Sequence, residues 1–174
     1  MAFFSDGQNR VKLYLLYIIK VFRVPVSREQ VFTAFSAADG TDFFTVCSLL
    51  DELEQEQFIV SVPVREQQLL YPTEKGIRLV DTFAHEIARS TRDELNGYIE
   101  EKREAVRNEN CITADTRPQP DGSWRLFLTI IEKDSAVFGL ELRLPDAATT
   151  ERARRAWLKN ADEIYLDTLK RLTE

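Results

Sequence analysis

The feature that most narrows the fold is a pair of short β-rich runs, Phe-Ile-Val-Ser-Val at 58–62 and Leu-Leu-Tyr at 69–71, separated by the polar stretch Arg65-Glu66-Gln67-Gln68. Two extended runs this close together pair as a hairpin, here with a loose tip. Pro63 brings no N–H to a ladder and suits an edge. A lone hairpin is marginal in water, so this one must lean on apolar neighbours.

Helical stretches supply them. Ser5 with Gln8 forms a capping box, and Val11, Tyr14, Leu15, Ile18 and Phe22 follow at helical spacing, which predicts a first helix over 7–22. Its other face, Leu13, Leu16, Tyr17 and Ile19, is apolar too. Such a helix is either central to the fold or part of a dimer interface. Val24-Pro25-Val26 is an extended link, and Ser27 with Gln30 repeats the capping box for a second helix over 28–36 carrying Val31, Phe32 and Phe35. After the Asp39-Gly40 turn, Thr41 or Asp42 caps a third helix with Phe43, Val46, Cys47, Leu50 and Leu53 on one face. Beyond the hairpin, Thr73 caps a helix bearing Ile77, Leu79, Val80, Phe83 and Ile87, despite Gly76 in its first turn.

Thr91 and Glu94 read as a further capping box, opening a charged linker helix to about residue 107 that Asn96-Gly97 interrupts. A domain boundary is expected here, between 1–90 and 91–174. Three strand-like runs follow at 111–116, 124–131 and 136–144, turning at 118–122 and at Lys133-Asp134-Ser135. A helix over 149–172 then presents Ala153, Trp157, Ala161, Ile164, Tyr165 and Leu169 on one face, suited to covering a small sheet. The fold class expected is α+β: an N-terminal winged helix-turn-helix, a linker helix, and a small antiparallel three-stranded sheet packed by a long C-terminal helix.

The winged-helix element of that expectation rests on a resemblance. The phrase Val-Cys-Ser-Leu-Leu-Asp-Glu-Leu-Glu-Gln-Glu-Gln-Phe-Ile-Val at 46–60, followed by Leu-Tyr-Pro-Thr-Glu-Lys-Gly-Ile-Arg-Leu-Val at 70–80, is similar to the pattern of PadR-like and MarR-like regulators. In those proteins a helix ends in a Leu-Glu-x-x-Gly-Leu-Ile-like phrase, a wing follows, and Tyr-x-Leu-Thr-x-x-Gly opens the next helix. Gln57 stands where the pattern prefers glycine, and Pro72 where it prefers an aliphatic residue. The whole chain also resembles an uncharacterised bacterial domain-of-unknown-function family with a winged-helix N-terminus.

The resemblance implies a DNA-binding transcription regulator acting as a homodimer, its third helix in the major groove. The DNA-binding candidates are Thr41, Thr45 and Ser48 on that helix and Arg65, Gln67 and Gln68 on the wing, with Lys12, Lys20, Arg23 and Arg28 as auxiliary cations. Charge argues the other way. The net charge is −6 with a pI near 5.0, and between Thr41 and Gln57 there is no lysine or arginine, while Asp42, Asp51, Glu52, Glu54 and Glu56 are acidic. Because phosphate neutralisation supplies most non-specific affinity, the alternative is a winged helix used for protein interaction or dimerisation. Leu13, Leu16, Tyr17, Trp157 and Tyr165 are the dimer-interface candidates, and Phe3, Phe4, Tyr14 and Phe22 add to the aromatic set.

A third reading is a ligand-sensing C-terminal part lined by Trp124, Phe127, Phe138, Trp157 and Tyr165, against the simpler reading of these aromatics as core. No catalytic residue, metal site or cofactor is expected. His85 is the sole imidazole, Cys47 and Cys111 form no paired motif, and the six glycines are scattered. The apolar run 13–19 falls short of the ~20 residues of a membrane span, so no membrane partner is expected. A reducing cytoplasm is the expected compartment.

Overall fold

A computed structural model describes residues 7–133 and 135–174. Phe3, Phe4, the Ser5 cap and Asp134 of the last turn lie outside the described residues. Within them the chain is α+β: helices predominate at the N-terminal end, and a small antiparallel sheet and a long helix follow. It forms two compact units, Met1–Val106 and Arg107–Glu174.

The first unit contains α1 (Gly7–Phe22), α2 (Arg28–Ser36), α3 (Phe43–Gln55), β1 (Ile59–Val64), β2 (Gln67–Pro72), α4 (Glu74–Phe83) and most of α5 (Arg89–Cys111). Every position of α1 from 12 to 19 is buried, so its two apolar faces make it the central helix around which the others pack. The Ser27/Gln30 box forms both of its bonds at the start of α2. At the end of α3, Phe58 N–H reaches the Leu53 carbonyl at 2.9 Å, and Gln57 takes a left-handed φ of 63°. That closure leaves the helix carbonyls satisfied and turns the chain into β1. It also explains why a glycine would be favoured at this position.

β1 and β2 pair antiparallel from Ile59↔Pro72 to Val64↔Gln67. The tip is therefore tighter than the loose four-residue loop expected, since Gln67 and Gln68 belong to the ladder and Arg65 turns the chain with φ 57°. Val26 adds a one-residue third strand, exchanging backbone bonds with Leu70 at 2.7 and 3.3 Å. Thr73 caps α4 by accepting from Gly76 N–H at 3.1 Å, while its hydroxyl donates to the Gln57 and Phe58 carbonyls. One side chain thus ties the end of the hairpin to the helix that follows.

Two expected boundaries move. α4 ends at Phe83 and a 3-10 turn, Ala84–Glu86, separates it from Ile87. α5 starts before Thr91 and passes through Asn96-Gly97 unbroken, so Thr91 and Glu94 lie inside a helix and form no capping box. The division between units falls after Val106 rather than at residue 90, because Leu95, Ile99 and Val106 are buried in the first core. Polar bonds reinforce this docking: Arg103 donates to the Val21 and Phe22 carbonyls at 3.0 Å each, and Tyr17 Oη donates to Asn96 Oδ1 at 2.9 Å. A guanidinium on the last carbonyls of α1 also meets the negative end of its dipole.

The second unit is a β3-β4-β5 antiparallel meander, with strands Ile112–Pro118, Trp124–Glu132 and Ser135–Leu144, followed by α6 (Ala147–Thr173). Period-two alternation buries Leu126, Leu128 and Ile130 of β4 together with Trp157 and Ala161 of α6. The cap of α6 is Asp146, whose carboxylate accepts from Thr149 N–H at 2.7 Å. Asn160 departs from helical geometry and bends the helix, and Arg107 grips Asp162 with two 2.8 Å bonds.

Candidate interface on α3 and the hairpin

The outward side of α3 is built on its cap. Asp42 accepts from the Thr45 N–H at 3.0 Å and from the Thr45 hydroxyl at 2.6 Å. That hydroxyl, then the N–H, holds the Asp42 carboxyl below the usual carboxylate range. Thr41, half-buried in the preceding turn, gives its N–H and hydroxyl to Asp39 at 3.0 and 2.7 Å. Of the three hydroxyls expected to meet bases, Thr41 is engaged in the turn before α3, Thr45 in the helix cap, and Ser48 stands exposed.

Between them projects Phe44, 83% exposed. Phe43, its neighbour, turns inward and meets Phe32 edge-on at 5.2 Å, while Phe43 and Phe44 contact each other at 6.1 Å. Sequence reasoning picked out Phe43 and missed Phe44. The available signal was the adjacency itself, since consecutive residues at a helix start lie about 100° apart and cannot both face one core.

The acidic residues of α3 are answered from within the fold. Lys12 of α1, nearly buried, holds Glu52 at 2.7 Å and Glu56 at 2.8 Å. Burial opposes its charge, yet the bonds from the two carboxylates outweigh that effect and its pKa lies above the ordinary value. Arg28 of α2 bonds Asp51 at 2.6 Å and the Cys47 carbonyl at 3.2 Å. Glu54 approaches Arg28 at 3.8 Å and takes the Ser61 N–H at 3.1 Å together with the Ser61 hydroxyl. Lys20 pairs with Asp81 of α4. Three of the auxiliary cations expected to reach phosphates are thus engaged with carboxylates, and Arg23 is exposed just past α1.

On the hairpin, Arg65 and Gln68 are exposed and Gln67 is half-buried within β2. The dimer-interface candidates occupy other roles. Leu13, Leu16 and Tyr17 are buried in the first core, because α1 is surrounded on both faces. Trp157 is buried in the second, donating from Nε1 to the Thr113 carbonyl at 2.9 Å, and Phe138 lies between it and Tyr165 at centroid distances of 6.0 and 5.2 Å. Side chains so placed have little surface to give a partner. Phe138, Trp157 and Tyr165 therefore read as core rather than as a ligand lining, and Phe127 lies beneath Arg117 at 5.1 Å on the opposite side of β4 from Leu126 and Leu128.

Among the described residues no group of three or more potential metal ligands is present, and no helix is long and apolar enough to cross a membrane. His85 is exposed in the 3-10 turn. Burial pushes the Cys111 thiol up to about 11. The family model described as "Domain of unknown function (DUF4364)" matches residues 11–172. Comparison with curated proteins and with solved structures finds no match.

Proposed function

We propose that this chain, which belongs to the DUF4364 family, uses its N-terminal unit as a winged-helix protein-interaction module with α3 as the docking face. The observation that carries the reading is the exposed Phe44 on a helix whose neighbouring cations, Lys12 and Arg28, are held by its own carboxylates. An exposed aromatic is the kind of anchor that protein partners bury. A phosphate arriving at the same face meets acids and must compete for Arg28 with Asp51. With no cation released to it, α3 contributes little to the counterion term that drives nucleic-acid binding. On this reading the chain is a homodimer in the cytoplasm, without cofactor or catalytic residue.

A second reading has its own support. Arg65 is exposed at the tip of the hairpin beside Gln68, and Ser48 is exposed on α3, so a DNA-binding regulator would touch its operator through these three. Photo-crosslinking from a benzoylphenylalanine placed at Phe44 in living cells separates the two. An adduct destroyed by protease and stable to nuclease is the expected result. A nuclease-sensitive adduct overturns the protein-docking reading in favour of DNA.

A further inference from the structure

Past the bend at Asn160, α6 carries Leu166, Leu169 and Leu172, exposed at 60%, 43% and 79%. They recur every third residue and so form one slanted stripe along the last turns. Ile164 and Tyr165 pack toward the sheet; at about 100° per residue Leu166 lies on the far side of the helix, Leu169 lies between that side and Tyr165, and Leu172 returns to the azimuth of Tyr165 two turns further on. Isolated exposed leucines need no explanation, but a contiguous row on one helix marks a contact surface.

The charges beside the stripe indicate what covers it. On its solvent flank lie Glu163 and Lys170, with Lys159 before them and Glu174 after. Measured from the midpoint between Leu166 and Asp167, Glu163 and Lys170 sit about 5 Å to either side along the axis, and Lys159 and Glu174 about 11 Å. In chain order the signs are plus, minus, plus, minus. A two-fold axis through the midpoint turns each position onto its mirror and sets these four charges opposite their complements: Glu163 faces Lys170 of the other helix, and Lys159 faces Glu174; Asp167, nearest the axis, is already held by Arg171 of its own helix. A parallel pairing would instead carry this flank to opposite sides of the pair, where these charges find no partner on the other copy. Among the described residues no hydrogen bond or ion pair engages the Glu163 and Lys159 side chains, and Lys170 reaches Glu174 only at 3.9 Å.

We propose that the stripe is covered by a second copy of this chain, with the C-terminal halves of two α6 helices packed antiparallel. Leu166 lies closest to the two-fold axis, Leu169 flanks it, and the Glu163–Lys170 pairs fix direction and register. An isologous contact of this kind is self-complementary by construction. The inference rests on the homodimer included in the proposed function and moves its surface from Trp157 and Tyr165 to the outer leucines; it is independent of what docks on α3.

Sedimentation velocity of the full chain across the micromolar range tests it. The wild type sediments as a dimer. Leu166→Glu with Leu169→Glu raises the dissociation constant at least about tenfold while circular dichroism stays unchanged. Glu163→Lys alone, which sets two like charges face to face at Lys170, raises it about threefold, and Glu163→Lys with Lys170→Glu returns it to near the wild-type value. A wild type that remains monomeric overturns both the homodimer and this surface. A dimer that survives the leucine substitutions, or a charge exchange that fails to rescue, overturns the α6 surface and leaves a homodimer standing. Neither result touches the crosslinking test at Phe44.

Discussion

Replacing Gly76 by alanine tests how tightly the hairpin is held against α4. A Cβ at this position would stand 2.1 Å from the Phe58 carbonyl oxygen, about 1.3 Å inside ordinary contact, and 3.2 Å from Leu16 Cδ1. That oxygen is engaged, accepting from Thr73 N–H at 3.0 Å and from the Thr73 hydroxyl at 3.1 Å. The methyl must therefore displace backbone rather than a flexible tip. Overpacking of this sort costs about 1–3 kcal/mol, and the weakened bonds add roughly 1 kcal/mol. Removing a helix glycine returns about 1 kcal/mol, for a net loss of about 2 kcal/mol. Urea unfolding followed by circular dichroism should show a midpoint about 1 M lower than wild type. Gly97→Ala is the matched control, because it lies in α5 with no atom near its added Cβ. It should gain up to about 1 kcal/mol. Tryptophan emission reports the second unit, which holds both Trp124 and Trp157. A Gly76→Ala protein as stable as the wild type would refute the close approach of α4 to Phe58.

The remaining expectations concern single residues. Gln57→Gly should stabilise the first unit by about 1 kcal/mol in the same urea assay, since its φ of 63° is the left-handed region that costs a side chain about that much; a loss would contradict the cap geometry. Thr73→Ala should destabilise it by about 1 kcal/mol through loss of the cap, and an unchanged midpoint would mean that the cap is solvent-replaced. At pH 8 an alkylating reagent should modify Cys47, which is half-buried, and spare Cys111 until denaturant is added; equal labelling in the native protein would contradict the burial. Because the folded Cys111 pKa is raised, its thiol has no effect on stability below the unfolded value near 9.0 and costs stability as pH climbs from there to about 11. Chemical unfolding across that window should decline less in Cys111→Ala than in wild type.

Local signals carried much of the fold. Side chains that close a helix start, Ser27 with Gln30 and Thr73, could be read directly, because their bonds span three residues and need no tertiary knowledge. The doubly apolar α1 offered two readings, and burial of both faces selects the central one. The helix expected beyond residue 90 is present, and the interruption expected within it is absent for a physical reason. Asn96 and Gly97 look like a break, but Gly97 meets open space and Leu95 and Ile99 on either side anchor the helix in the core, so packing overrides propensity. The α3 face was half legible. Its acids and lack of cations are plain in sequence, whereas the cations that answer them come from α1 and α2, Lys12 lying 44 residues from Glu56 and Arg28 lying 23 from Asp51. Only the folded arrangement brings those charges together. On α6 the sequence placed Leu169 on the sheet-covering face and passed over Leu166 and Leu172, because Trp157 and Tyr165 are larger and drew attention to the face that the sheet already covers, whereas Leu169 stands 43% exposed.

The most direct test of the α3 account is fluorescence anisotropy of a labelled pool of duplex fragments titrated with the full chain from low to moderate salt. With Lys12, Lys20 and Arg28 engaged by carboxylates, association should stay weaker than about 0.1 mM even at low salt, the weak end of ordinary non-specific binding. Micromolar binding that falls steeply as salt rises, and that Arg65→Ala abolishes, would contradict it and return the protein to the DNA-binding regulators.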